Sequence, residues 1–226
     1  MRNRFYVNGD LAAGSVVSLS EDERHHARVL RVGEGEEVEV FNGRGDSFAG
    51  SYTADGVRLT SAAPNREAPV RITLAMAIIN LEKFELVLQK ATELGVAAMI
   101  PLVTDRCEVR PERYRGKHER WEKIVFEAVK QSGRSRIPVL EEPTKFDDVI
   151  ARPGTKIFFD MDAPSEGGRK PPHSMTLFIG PEGGWSEREL RTAHESGCAF
   201  EQLGPRRLRA ETAAIVATAL VIGRHS

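Results

Sequence analysis

Cysteine is nearly missing from this 226-residue chain. Only Cys107 and Cys198 are present, far apart and without Cys-x-x-Cys spacing, which argues against a disulfide framework and a zinc site alike. No metal is expected. Long apolar runs are missing too: no stretch approaches a membrane span, and the opening Met-Arg-Asn-Arg-Phe-Tyr lacks the apolar core of a signal peptide. A cytoplasmic location without a membrane partner is the expectation. The formal net charge is only −1, so the chain as a whole does not attract a polyanion. Several catalytic signatures are also absent. There is no Gly-x-Gly-x-x-Gly, no Gly-Lys-Ser/Thr and no Gly-x-Ser-x-Gly, and His194-Glu195 is followed by Cys198 where a zinc protease would need a second histidine. His118 and His173 read as solvent or packing residues. No repeat or low-complexity segment stands out.

What is present is concentrated in two stretches. Residues 179–185 read Ile-Gly-Pro-Glu-Gly-Gly-Trp, and residues 203–213 read Leu-Gly-Pro-Arg-Arg-Leu-Arg-Ala-Glu-Thr-Ala. The first follows an apolar run, residues 175–179, that suits a buried strand. Glycines at 180, 183 and 184 with Pro181 let the backbone turn sharply and approach a ligand closely. Ser186 then opens a helix, with Glu189 completing a capping box. The second stretch repeats the layout: a short apolar run, a Gly-Pro break, a basic cluster and an apolar helix over 211–222. Two such loops at neighbouring strand ends can form one pocket. Either loop alone would be an ordinary strand-to-helix turn.

Residues 1–66 read as a small β-rich unit. Strand candidates at 4–7, 16–19, 37–41, 51–54 and 57–60 are joined by turns such as Asn42-Gly43 and Asp55-Gly56, a pattern that points to a small barrel. Ser20 and Glu23 cap a short helix running through Leu30 and ended by Gly33. It carries His25, His26, Arg28 and Arg31, and the plainest account is a solvated amphipathic face with Val29 and Leu30 turned inward. Residues 61–69, with Pro64, Asn65 and Pro69, read as a linker. Beyond them, residues 70–226 alternate strands (72–79, 96–103, 156–160) with helices (81–94, 111–132), which predicts an α/β domain with a mostly parallel sheet. Residues 163–172 form a Gly/Pro-rich excursion. Between 106 and 136, ten Lys or Arg stand against five Asp or Glu, a positive excess hidden by the total.

Taken together, the two loops, Arg2-Asn-Arg-Phe5, His25-His-Ala-Arg-Val-Leu-Arg31, Lys90-Ala-Thr-Glu-Leu-Gly95, Arg120-Trp-Glu-Lys-Ile124 and Glu127-Ala-Val-Lys-Gln131 resemble the knotted SPOUT-class RNA methyltransferases. Within that class the resemblance is to the small-subunit ribosomal RNA methyltransferase E family, and it covers nearly the whole chain. It implies a PUA-like N-terminal barrel that grips RNA and a trefoil-knotted α/β domain. It also implies a homodimer, S-adenosyl-L-methionine as cofactor, and N3 of a uridine in 16S rRNA, naked or within the small ribosomal subunit, as acceptor. The nearly all-apolar helix from residue 213 fits a buried dimer face.

By this resemblance and the loop pattern, Ile179, Gly180, Gly184, Leu203, Gly204, Leu208 and Thr212 are expected around the cofactor. Arg2, Arg4, His25, His26, Arg28, Arg31 and Arg134 are expected at RNA. Uracil N3 is a poor nucleophile until its proton leaves. Arg207 or Arg209 can stabilise the charge that develops on the flanking carbonyls, and Glu211 can act as base. The arginine is the larger expected effect, because its charge is permanent and its planar fork suits carbonyl oxygens. For Glu211 a simpler role exists as an acid favoured at a helix N-terminus. A ribose 2′-O methyltransferase of the same superfamily, or a non-catalytic RNA-binding protein that kept the fold, are the alternatives.

Overall fold

A computed structural model describes residues 3–163 and 172–225. Two compact units emerge, one formed by Met1–Glu67 with Phe126–Ile137 and the other by Ala68–Val125 with Pro138–Ser226.

In the first unit, β1 (Arg4–Tyr6), β2 (Val16–Val17), α1 (Glu21–Val29), β3 (Glu37–Phe41), β4 (Ser47–Thr53) and β5 (Gly56–Ala62) follow in order. The strands form one sheet in the order β1-β3-β4-β5-β2. β1 runs parallel to β3, and the other pairs are antiparallel. On one face Phe5, Val38, Val40, Val57 and Leu59 close over Leu19 and Ala27, and the alternate positions Arg4, Glu39 and Phe41 on the other face are buried as well. The expected turn after β3 is present as a loop in which Asn42 Oδ1 accepts from the backbone N–H of Arg44 and of Asp46.

Helix α1 is capped as expected, with Ser20 accepting from the Glu23 N–H. Its end differs from expectation. Arg31, not Gly33, takes the left-handed position (φ 57°), because the Arg31 and Val32 N–H groups turn back onto the carbonyls of Arg28 and Ala27. Val29 and Leu30 are 64% and 42% exposed, so the inward placement expected for them is corrected. The apolar side of this helix is made by Ala27 instead.

Residues 126–137 join this unit because Arg4 reaches into them. Its guanidinium donates to the carbonyls of Val129, Lys130 and Arg134 as well as to Glu39. Glu39 also takes two bonds from Arg66 Nη1 and one from Arg66 Nη2. Lys130 pairs with Glu23, Arg134 with Glu67, and Phe126 meets Tyr6 edge to face.

The second unit holds β6 (Arg71–Ala77), α2 (Leu81–Leu94), β7 (Ala98–Val103), α3 (Pro111–Tyr114), the first part of α4 (His118–Ser132), β8 (Val139–Leu140), β9 (Thr144–Lys145), α5 (Phe146–Ile150), β10 (Lys156–Phe159), β11 (Ser174–Ile179), α6 (Glu187–Glu195), β12 (Ala199–Glu201) and α7 (Ala210–Gly223). The strands pair in the order β12-β10-β11-β6-β7-β8, with β9 also on β7, and every pairing is parallel. Parallel sheets are covered on both faces, which explains the near-continuous apolar strands. Phe158, Phe178 and Ile100 pack with Phe146, Trp185 and Ala193 on the sheet.

The single helix expected over 111–132 is interrupted. Gly116 adopts φ +73° and separates α3 from α4, a break that Gly alone accepts without strain. Gly95 ends α2 in the left-handed conformation expected of it. Most of the Gly/Pro-rich excursion, residues 164–171, lies outside the described residues, as does Arg2. Among the described residues no helix is long and apolar enough to cross a membrane.

Candidate active site

Three parallel strands, β12, β10 and β11, lie side by side, and their carboxyl ends release the segments that build the site. This is where ligands bind open α/β sheets, because the loops diverge there and expose backbone groups. After β11 the chain turns at Gly180 and again at Gly184, which has φ +68° and donates its N–H to the Pro181 carbonyl. A Cβ added at Gly180 would meet the Trp185 indole at 3.0 Å. The indole therefore lies against the bare backbone, and its Nε1 donates to the Phe159 carbonyl at 3.1 Å.

α6 begins with the expected capping box between Ser186 and Glu189. Glu189 is fully buried, and its second oxygen accepts the Asp105 N–H, tying the segment after β7 to the helix start. Arg188 donates to Asp105 and Asp147. Hydrogen bonds from Arg188 and Ser186 hold the Asp105 carboxyl below its ordinary range. From the same segment, Arg106 Nη1 donates to the Gly183 carbonyl at 3.0 Å. The second loop turns at Gly204 (φ +99°) and leads through Arg209, the N-cap, into α7.

Between the two loops lies a cavity of about 560 Å³, within the range of small-molecule sites. Ile179, Gly180, Gly184, Leu203, Gly204 and Leu208 line it, as do Arg207 and Arg209. Thr212 does not; it stands exposed one turn into α7. Glu211 is likewise absent from the lining. Its side chain is 12% exposed, and Oε1 sits 3.8 Å from Lys83 Nζ.

Sequence reasoning missed Arg106, Arg206, Met161, Asp160 and Asp162, which also line the cavity. Asp160 and Asp162 carried a usable signal, since they mark the end of β10, the neighbour of both loop-bearing strands. Arg106 carried none, because its place depends on its own bond to the Gly183 carbonyl and on those of Asp105 with Glu189, Ser186 and Arg188. Four arginines against Asp160, Asp162 and Glu182 leave the lining with a positive excess hidden in the near-neutral total. Among the described residues no cluster of His, Cys, Asp or Glu suits a metal ion.

The residues expected at RNA are divided. His25, Arg28 and Arg31 are exposed on and just after α1, and His26 is half-buried with its ring edge-on to Phe5. Arg4 and Arg134 are instead buried, at 7% and 3% exposure. Both are committed to Glu39, Glu67 and backbone carbonyls. A guanidinium occupied in this way has no free fork for a phosphate, and we withdraw both from the RNA-facing set.

Residues 66–222 match the RNA methyltransferase domain family, and residues 19–55 match the RNA methyltransferase PUA domain. A ribosomal RNA small subunit methyltransferase E of Rickettsia conorii is 32% identical, covering 99% of this chain and 97% of the relative. The chain belongs to the ribosomal RNA small subunit methyltransferase E family. A crystal structure of a family member from Neisseria gonorrhoeae, bound to S-adenosyl methionine, superimposes with a TM-score of 0.89 at 32% identity. It covers 97% of this chain and 96% of that one. A putative methyltransferase of Legionella pneumophila, in complex with the same cofactor, gives 0.84 at 36% identity, covering 99% and 98%. The two domain matches agree with the expected pairing of a PUA-like unit and an α/β methyltransferase domain.

Proposed function

We infer that this methyltransferase-family protein methylates N3 of a uridine in 16S rRNA, using S-adenosyl-L-methionine held in the cavity between the two glycine loops. The observation that carries the reading is the cavity itself, walled by the two stretches singled out by sequence. Support comes from structural neighbours that match over nearly the full chain and are described with this cofactor bound.

The residues present fit such a group. Ile179, Leu203 and Leu208 offer apolar walls for a purine and an alkyl chain, and the turns at Gly184 and Gly204 present backbone polar groups without side chains over them. When bound, S-adenosylmethionine supplies a methyl group on a positively charged sulfur. The chain has to bring a poor nucleophile to it and manage the charge that develops. Arg207 and Arg209 are exposed at the cavity and, as permanent cations, stabilise negative charge on the uracil carbonyls as N3 loses its proton. His25, Arg28 and Arg31 supply a separate RNA contact from the first unit. The trefoil threading and the homodimer belong to the same proposal. The nearly all-apolar α7, on which Leu220 stands 47% exposed, supports the dimer.

The test is transfer of labelled methyl from the cofactor to small ribosomal subunits isolated from cells lacking this protein. Label in N3-methyluridine supports the reading; cofactor binding without transfer to any RNA would leave a non-catalytic member of the fold.

A further inference from the structure

The positive excess between residues 106 and 136 has a sharper centre. Between residues 106 and 117 five Lys or Arg stand against two Glu, on the segment that joins β7 to α4. β7 runs parallel to β11, with β6 between them, so this segment leaves the sheet at the same carboxyl edge as the first glycine loop. Arg106 lines the cavity and donates to the Gly183 carbonyl. Arg110, Arg113 and Arg115 follow on and around α3, all of them exposed. Four residues of chain span at most about 14 Å, which keeps the backbone at Arg110 close to Arg106 on the rim. The segment is pinned along its length: Glu189 accepts the Asp105 N–H, the Cys107 thiol donates to the Ile78 carbonyl at 3.2 Å, and Tyr114 is buried. Arg110, Arg113 and Arg115 make no ion pair among the described residues, although Glu108 and Glu112 stand exposed in the same segment. By contrast Arg120, Arg152 and Arg188, exposed in the same unit, are taken by Glu85, by Glu141 and by Asp105 with Asp147. Like charges held near one another repel, and an anion supplied from outside relieves that repulsion.

We propose that Arg110, Arg113 and Arg115 form a phosphate track for the single-stranded RNA next to the acceptor nucleotide. This rests on the uridine methylation inferred above. A base that enters the cavity stays joined to its phosphodiester backbone on both sides, so an anionic strand has to cross the rim. Arg206, Arg207 and Arg209 meet it at the second loop, and the segment after β7 meets it beyond Arg106. Guanidinium groups suit that partner, because their planar forks match phosphate oxygens and hold the strand without reading its sequence. An acidic protein surface would also be attracted, but nothing obliges one to pass this edge, whereas the strand that carries the acceptor must. The track supplies affinity and register, and takes no part in the chemistry.

The experiment compares wild type with the triple variant Arg110→Gln/Arg113→Gln/Arg115→Gln and with the matching triple Lys variant. Methylation of small subunits from cells lacking the protein is followed against subunit concentration at saturating cofactor. Binding to 16S rRNA extracted from those subunits is titrated at several salt concentrations. The Gln variant should raise KM roughly tenfold or more while kcat stays within about twofold, and should flatten log affinity against log salt by about two units of slope, since each single-strand phosphate contact contributes about 0.7. Cofactor affinity should match wild type, and the melting temperature should not fall, because none of the three arginines holds an ion pair. The Lys variant should regain most of the loss, since phosphate also accepts a point charge. An unchanged KM and salt slope would overturn the proposal, and so would a lower melting temperature with weaker cofactor binding, which would make the arginines structural. A loss confined to assembled subunits would overturn it too, by giving them an acidic protein as partner. Wild-type protein that transfers no methyl to any RNA would instead retire the methylation reading itself.

Discussion

Trp185 Nε1 and the Phe159 carbonyl, 3.1 Å apart, fasten the first glycine loop to the end of the neighbouring strand. The indole also lies 4.3 Å from the Phe158 ring, centroid to centroid. Trp185→Phe keeps the ring packing and deletes the donor, leaving a buried carbonyl unpaired. The expected loss is about 1 kcal/mol, or roughly 2–4 °C in melting temperature for a chain of this size. A weaker cofactor complex should accompany it. Scanning calorimetry with and without cofactor checks both; a variant that melts and binds like wild type would show that the loop is held by packing alone.

Gly180 and Gly184 should fail for different reasons. A Cβ at Gly180 meets the indole at 3.0 Å, so Gly180→Ala displaces Trp185 and should abolish measurable cofactor binding. At Gly184 a Cβ meets nothing within 4 Å, and the difficulty is its φ of +68°. Gly184→Ala should therefore cost about 1 kcal/mol of backbone strain with a smaller loss of affinity. Titration calorimetry separates the two, and equal losses would argue against the crowding explanation.

Arg209→Ala, measured at saturating cofactor and RNA, should turn over roughly 100-fold more slowly if its guanidinium stabilises developing charge. Unchanged turnover with weakened RNA binding would assign it to phosphate positioning instead.

Arg4→Ala makes the opposite kind of prediction. With Arg4 gone, buried Glu39 keeps only Arg66, and the carbonyls of Val129, Lys130 and Arg134 each lose a donor. A loss of about 3 kcal/mol in stability is expected, visible in denaturant titration. RNA affinity of the protein that remains folded should change little.

Acid should weaken the first unit through Glu67. Burial alone would raise its carboxyl, but the bonds from Arg134 and from the Ser135 and Arg136 N–H groups outweigh that and hold it below the usual 4.5. A carboxyl lowered on folding stabilises the fold fully above its unfolded value, and that contribution is lost as pH falls through the folded value. Glu67→Gln should thus destabilise at neutral pH and flatten the acid limb of melting temperature against pH below about 4.5. An acid limb as steep as that of wild type would place the sensitivity elsewhere.

Legibility in the sequence followed the range of the forces involved. Local signals were readable: the Ser186 and Glu189 capping box, the Gly95 stop and the two glycine loops needed only neighbours a few residues away. Long-range consequences were not. Arg4 and Arg134 look like surface cations in one dimension, and only the carbonyls and acids brought to them by the fold, up to 130 positions away, reveal that they are structural. The break at Gly116 was hidden because the apolar spacing resumes in register after it. Arg106 joined the cavity through long-range bonds, its own to the Gly183 carbonyl and those of Asp105 with Glu189, Ser186 and Arg188, that no periodicity announces. Arg31 took a position that glycine normally fills, two residues before the glycine expected there.

The most direct test is nucleoside mass spectrometry of 16S rRNA from cells lacking this protein, with and without the gene restored. The account predicts that one N3-methyluridine disappears and returns with the wild-type chain, and that it does not return with Gly180→Ala. An unchanged N3-methyluridine level, with a ribose 2′-O-methyl group lost instead, would contradict it.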